Sequence, residues 1–285
     1  MSSQMLIPSN IEELKEMLLS VTDKSNFIAG GTDLTIAINE GKIEPDLLIV
    51  LSSIPEMLSI KQNENLIVIG ASVCFSELAK APLINKYFPA LASAAAGVGS
   101  KQIRNMGTIG GNIANASPAG DMLPPLICLA ASVLILDRSG KMLKKDIETL
   151  LSDGLAVGEV IISVMIPITA PDTYNCFLKL GTRQAVSKAR LSVAVNVQYS
   201  DKTMNINNAV VVVGALGKKP ITSNASAQAL NGQTITYELG YKLAEALTNE
   251  VDEAIPGRYS QPYKREAVKG LAFDVIGLLS KKVNL

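Results

Sequence analysis

The chain has 285 residues, 48% hydrophobic and 18% charged, with 26 basic and 26 acidic side chains, enough for one large core or two moderate ones. Zero net charge, no tryptophan and 4% aromatic residues leave neither the cationic surface nor the stacking platforms that nucleic acid requires. With no histidine, and with Cys74, Cys128 and Cys176 standing singly, the usual zinc and iron-sulfur ligand sets, Ser-His and Cys-His catalytic pairs and a flavin attached through histidine are all excluded.

The opening MSSQMLIPSNIEELKEML has no basic segment followed by an apolar one, and runs such as AVVVV at 209–213 are too short to span a bilayer. A cytoplasmic location without membrane insertion is expected. Ser9 to Glu12 has capping-box spacing, and Ile11, Leu14 and Leu18 predict a helix ending near Val21. FIAGG at 27–31, DLLIVLSS at 46–53 and LIVIGAS at 66–72 read as strands, an α/β start. Helices are expected at 75–80, 88–97 and 123–131, then strands at 132–137 and 159–167, the first closed by a turn at 137–140. PITAPDT at 167–173 is the best candidate boundary. Beyond it, strands at 176–183, 190–200 and 208–216 precede helices near 224–231, 236–250 and 262–281, the pattern of an α+β unit with an antiparallel sheet. In the last helix Val268, Leu271, Val275 and Leu278 share the expected packing face.

Two glycine stretches carry the chemistry. In FIAGGTDL at 27–34 an apolar strand runs into Gly30-Gly31, Thr32 and Asp33. Paired glycines permit positive φ and close approach, so successive N–H groups can face one anion such as a pyrophosphate; a tight strand-to-helix turn is the alternative. RNMGTIGGNIANASPAGD at 104–121 shows no helix or strand period and is thin in side chains. It offers room for a long ligand, with Thr108, Asn112 and Ser117 as hydrogen-bonding groups and Asp121 as an acceptor for a sugar hydroxyl; a loop packed on itself is the alternative. Between 86 and 136 only Lys86, Lys101, Arg104 and Asp121 are charged, which suggests surface covered by a cofactor or by partner subunits.

AGGTDL at 29–34 followed by QIRNMGTIGGNIANASPAGD at 102–121 closely resembles the FAD-binding subunit, or middle domain, of the molybdenum hydroxylases, the xanthine, carbon monoxide and nicotinate dehydrogenase family. GEVIISVMIP at 158–167, CFLKLGTRQAVSKARLSVAV at 176–195, GALGKKP at 214–220 and SQPYKREAVKG at 260–270 follow in the same order. The resemblance implies an α+β fold: a two-lobed FAD-binding domain of the vanillyl-alcohol oxidase (PCMH) type over 1–170, its lobes split near 55–60, then a smaller C-terminal domain of the CO dehydrogenase flavoprotein type over 171–285 with an antiparallel sheet. It implies that Phe27, Ile28, Ala29, Gly30, Gly31, Thr32, Asp33 and Leu34, with Thr108, Ile109, Gly110, Gly111 and Asn112, hold the pyrophosphate and neighbouring groups. It implies further that Asp121 holds a sugar or ribityl hydroxyl, and that Ile161 and Lys179 sit near the flavin ring. For Lys179 a solvated strand lysine is the alternative, and for Ile161 a core position. No catalytic residue and no metal ligand is expected. FAD would be noncovalent; molybdopterin and 2Fe-2S clusters would lie on partner subunits, and electrons would pass from clusters to FAD and on to NAD or another acceptor. A self-contained flavin oxidase and a flavin-free assembly protein are the other readings.

Overall fold

The computed structural model describes residues 4–183, 186–200 and 204–282. In chain order its elements are β1 (Gln4–Leu6), α1 (Ile11–Leu18), β2 (Asn26–Ile28), α2 (Leu34–Asn39), β3 (Leu47–Val50), β4 (Ile60–Asn63), β5 (Leu66–Gly70), α3 (Phe75–Leu78), α4 (Pro82–Tyr87), α5 (Pro89–Gly97), α6 (Lys101–Met106), α7 (Ile109–Asn115) and α8 (Leu123–Cys128). Then follow β6 (Ser132–Leu136), β7 (Met142–Asp146), α9 (Ile147–Asp153), β8 (Val160–Pro167), β9 (Thr173–Leu180), β10 (Leu191–Ser200), β11 (Asn205–Gly214), β12 (Ile221–Thr222), α10 (Asn224–Leu230), α11 (Leu239–Ala254) and α12 (Gln261–Lys282). Among the described residues no helix is long and apolar enough to cross a membrane.

The chain forms two compact units. The first comprises residues 1–83, 100–116 and 130–167, and the second 84–99, 117–129 and 168–285. In the first unit β1, β3 and β2 form a parallel sheet in that order, Gln4 opposite Leu47 and Phe27 opposite Ile49. The α/β character read from the start of the sequence belongs to this sheet, because parallel neighbours need a crossover, here α1 and α2. A larger antiparallel sheet follows, ordered β4-β5-β8-β6-β7.

Local chemistry sets several boundaries away from their expected places. The capping box is shifted by one residue: the Asn10 side chain accepts the Glu13 N–H at 2.9 Å, and the Glu13 carboxylate accepts the Ser9 N–H and hydroxyl, each at 2.8 Å. Glu12 instead pairs with Lys15. Helix α1 stops at Leu18, short of Val21, where the Ser20 N–H and hydroxyl both take the Met17 carbonyl, replacing the next helical bond. The stretch expected to be irregular is mostly helical. Ser100 caps α6 by accepting the Ile103 N–H, Thr108 caps α7 by accepting the Gly111 N–H, and Ala116 ends α7 in the left-handed region at φ 45°. Each helix is shorter than the two turns over which an apolar period becomes visible.

In the second unit β12, β11, β10 and β9 form an antiparallel sheet, the α+β arrangement expected. One face packs Leu191, Val193, Val195, Val211 and Val213 against Leu243, Leu247, Val268, Val275 and Leu279 of α11 and α12. The other face carries α5 and α8. Central strands covered on both sides read as unbroken apolar runs, which accounts for AVVVV. Asn175 on β9 is buried yet satisfied, accepting the Ala90 N–H at 2.9 Å and donating to the Tyr87 carbonyl at 3.0 Å, so it fastens the start of α5.

Cys128 and Cys176 are buried, as small core residues, while Cys74 is half-buried. Burial pushes both buried thiols up, Cys176 to about 12, which keeps them protonated and unreactive. The packing face of α12 needs one correction: Val268, Leu271 and Val275 are buried, but Leu278 is 37% exposed and Leu279 is 1% exposed. Eleven residues close roughly three helical turns, so position 279 returns to the face while 278 falls about 80° off it. Leu279→Ala should therefore cost about 2–5 kcal/mol, and Leu278→Ala less than about 1 kcal/mol. Denaturant midpoints of the two variants check this.

Candidate functional site

A cleft of about 360 Å³ opens within the first unit. One wall comes from the turn before β2 and the strand itself, Thr22, Asp23, Ser25, Asn26, Phe27 and Ala29; another from Gly110, Gly111 and Ala114 of α7; a third from residues 155–161 leading into β8. Leu51, Met57 and Ala71 add apolar floor. An apolar hollow edged by hydroxyls, an amide and the carboxylates of Asp23 and Glu159 suits a ligand with a flat ring and a polar tail. Of the predicted residues, Phe27, Ala29, Gly110, Gly111 and Ile161 line it. Ile28, Gly30, Gly31, Thr32, Asp33, Leu34, Thr108, Ile109 and Asn112 lie outside its lining, although in the same unit.

The two glycine stretches differ in their free donors. The N–H groups of Gly30, Gly31, Thr32 and Asp33 donate to no acceptor among the described residues. They form a run of unpaired donors leading into α2, the arrangement that accepts an anion. Gly31 takes φ 68°, the turn that sends the chain from β2 into the helix. Thr32 donates its hydroxyl to the Asp33 carboxylate at 3.3 Å. In the second stretch the N–H groups are consumed: Ile109 donates to the Val73 carbonyl, Gly110 to that of Ala71 at 2.8 Å, Gly111 to the Thr108 hydroxyl at 3.1 Å and Asn112 to the Thr108 carbonyl. This segment offers a smooth wall in place of N–H donors.

The reasons for the glycines differ too. A Cβ on Gly30 would collide with the Met106 carbonyl, and one on Gly110 would stand 2.6 Å from the Ala71 methyl and 2.8 Å from its oxygen. Close approach of backbone to backbone requires both, without any ligand. Positive φ is found at Gly31 and is absent at Gly111, which sits in a helix. A Cβ on Gly111 would meet only the Thr108 hydroxyl, at 2.9 Å, a side-chain atom and not a neighbouring backbone, and the bare surface of Gly111 lines the cleft.

In the second unit Asp121, 7% exposed, and Lys179, 15% exposed, form an ion pair of 2.6 Å. Lys179 also donates to the Gly97 carbonyl at 2.7 Å and the Ser187 carbonyl at 3.2 Å; a solvated strand lysine is therefore ruled out. Burial raises the Asp121 carboxyl, against the lowering hydrogen bond and charge of Lys179. Among the described residues Asp121 Oδ1 is buried with no hydrogen-bond partner, as is Asn112 Oδ1 in the first unit. Unpaired buried acceptors are costly and mark where a donor is missing. Ser117, read as a ligand donor, accepts the Ala119 N–H at 3.4 Å.

Sequence reading missed the turn at 22–26 and the approach at 155–160. The first had a signal in Thr22, Asp23, Ser25 and Asn26 beside an apolar strand; Thr22 and Ser25 donate to Asp46, holding its carboxyl below the usual range. The low charge of 86–136 has an internal cause: Ala90, Leu91, Ala92, Ala94 and Ala95 of α5 and all of α8 are buried within their own unit.

Residues 1–169 match the family described as FAD binding domain in molybdopterin dehydrogenase, and residues 177–278 match the CO dehydrogenase flavoprotein C-terminal domain. The nicotinate dehydrogenase FAD-subunit of Eubacterium barkeri is 31% identical over 277 residues, covering 93% of this chain and 91% of that one. The fold is shared with quinoline 2-oxidoreductase from Pseudomonas putida 86, with TM-score 0.89, 21% identity and coverage of 99% and 98% of the two chains. It is shared also with carbon monoxide dehydrogenase from Hydrogenophaga pseudoflava, with TM-score 0.85, 23% identity and 96% of each chain.

The packing separates two substitutions that look alike in sequence. Gly30→Ala should lower stability by about 1–3 kcal/mol, since a backbone carbonyl must move. Gly111→Ala should change it by less than about 1 kcal/mol, because what a helical glycine gains from a methyl group offsets the small shift forced on the Thr108 hydroxyl. Thermal melting of both variants without ligand measures the difference.

Proposed function

The chain belongs to the family of FAD binding domains in molybdopterin dehydrogenases, and from that premise we propose that it is the electron-transfer subunit of a heteromeric molybdenum hydroxylase, similar to xanthine dehydrogenase. It would receive electrons from the iron-sulfur clusters of a partner and deliver them to NAD or another acceptor. The observation that carries this reading is the run of four N–H groups, at Gly30, Gly31, Thr32 and Asp33, that are unpaired among the described residues, a cradle for the diphosphate of a dinucleotide.

The residues fit FAD in three further respects. The cleft takes a flat ring against Leu51, Met57 and Ile161, Gly111 lets a ligand approach α7, and Asp121 Oδ1 waits for a donor such as a sugar or ribityl hydroxyl. In this reading Phe27 to Leu34 and Thr108 to Asn112 act in the first unit, and Asp121 and Lys179 in the second. When bound, FAD supplies the exchange between one-electron iron-sulfur donors and a two-electron acceptor. The chain itself orients the cofactor, excludes water from the apolar cleft and places a carboxylate and an ammonium in the second unit. With no histidine and scattered cysteines, molybdopterin and the 2Fe-2S clusters belong to partner subunits. A cytoplasmic location, and a domain boundary near 170, are part of the same reading.

Purified chain should carry equimolar FAD that acid precipitation releases into solution. In the assembled complex, stripping FAD should abolish NAD reduction while substrate still reduces the iron-sulfur clusters, followed anaerobically by their absorbance. Cluster reduction that depended on FAD would reverse the proposed order of carriers and favour a self-contained flavin oxidase.

A further inference from the structure

Aromatic residues are scarce, five Phe and seven Tyr, yet Tyr237, Tyr241 and Phe273 stack together on the outside of the second unit. The Phe273 ring centroid lies 5.0 Å from each tyrosine ring, and the tyrosine rings lie 5.8 Å apart. Phe273 is fixed against the backbone of Gly240, where a Cβ would stand 2.5 Å from its ring. Tyr237 is 66% exposed and Tyr241 60%. A rigid, exposed aromatic cluster is the usual anchor of a protein interface.

Helix α12 gives the surface its shape. Its buried residues, Val268, Leu271, Ala272, Val275, Ile276 and Leu279, face the core. At about 100° per residue, Glu266, Gly270, Phe273, Asp274, Gly277 and Lys281 form the opposite stripe. Neither Gly270 nor Gly277 takes a positive φ, and a Cβ added at either would meet no atom within 4 Å. Nothing in this chain calls for glycine at these two positions, and each costs the helix about 1 kcal/mol relative to alanine. What they provide is a bare surface one turn to either side of Phe273.

The stripe is complementary to itself. Glu266 stands four residues before Gly270, and Lys281 four residues after Gly277. A second α12 laid antiparallel so that Gly270 meets Gly277 of the second copy therefore sets Glu266 against Lys281 of the second copy, twice over. We propose that this face is an isologous contact between two copies of the chain, α12 packing on α12 about a twofold axis that passes between positions 273 and 274. The axis brings the two Phe273 rings, each with its two tyrosines, to one flank and the two Asp274 carboxylates to the other. The carboxylates oppose the contact, but on an exposed flank their repulsion is screened. Glu266 is paired within its own helix with Lys269 at 2.8 Å and Arg265 at 3.6 Å, and exposed pairs of this kind exchange partners at little cost. The contact is built entirely from the second unit and is independent of the FAD reading.

Sedimentation velocity of the purified full-length chain over a wide range of concentration should show a reversible monomer–dimer equilibrium. Gly270→Gln and Gly277→Gln should each weaken association about tenfold or more, because the closely packed seam is overfilled, while the melting temperature of the monomer holds or rises, glutamine being the better helix former. Glu266→Lys and Lys281→Glu should each weaken it about fivefold, and the double variant, which restores opposite charges, should recover it. Register is read by cross-linking. A mixture of Gly270→Cys and Gly277→Cys chains should form disulfide-linked dimers under copper-catalysed air oxidation, with wild type as the control for Cys74. Either variant alone should not, since its own two cysteines would lie about 10 Å apart along the helix axes, beyond disulfide reach. A wild-type chain that stays monomeric at every concentration overturns the proposal, and if the glutamine variants then lose a partner subunit from the assembled complex, the face belongs to that subunit. Dimers that persist unchanged in both glutamine variants, or single cysteine variants that cross-link as well as the mixture, overturn it too.

Discussion

Two of the places in the first unit where only hydrogen fits between backbones tie its two sheets together. Gly30, just past β2 of the parallel sheet, meets the carbonyl of Met106; Gly110 meets Ala71, just past β5 of the antiparallel sheet. The segment 106–110 thereby touches both sheets and joins them at van der Waals distance. The cleft opens beside this junction, and Ala71 and Gly110 line both the seam and the hollow. A side chain at either glycine would pry the sheets apart before it interfered with any ligand.

Polar groups are divided with similar economy. Thr108 spends its hydroxyl and its carbonyl on the N–H groups of Gly111 and Asn112, which removes donors from the wall of α7 and leaves it smooth. The donors that remain belong to Gly30 through Asp33. In the second unit the positive charge of Lys179 is fully engaged and the negative charge of Asp121 is half engaged. A buried pair of this kind gains less from mutual attraction than it loses in hydration unless its remaining lone pairs are satisfied. That imbalance is what makes the orphan oxygen informative.

Much of the fold was legible in the sequence because long elements carry their own period. The strands of the second unit and helices α10 to α12 lie close to their expected positions, and the order of strands followed by helices points to an antiparallel sheet. What escaped was short. Helices α2, α6 and α7 span six or seven residues each, too few for an apolar face to repeat, and only Ser100 and Thr108 as caps could have disclosed the last two. At the site, composition singled out the glycine stretches, but it assigned one cause to four glycines where packing assigns several: Gly31 turns, Gly30 and Gly110 admit a neighbouring backbone, and Gly111 is bare. Asp121 and Lys179 were legible as residues; their pairing was not, because it joins positions 58 apart in sequence through a sheet whose register no local pattern encodes.

The chain passes from one unit to the other at residues 83, 99, 116, 129 and 167 before it ends, and this interleaving has a consequence during synthesis. Helices α5 and α8, rich in alanine and apolar residues, leave the ribosome long before β9, β10 and β11, the strands they cover. Until the last of those strands is made, their buried faces have no native partner, and neither unit can be completed by the first half of the chain. A nascent chain built this way carries the apolar faces of α5 and α8 uncovered through that interval, the condition under which chains aggregate, and no single cut in the gene yields either unit whole.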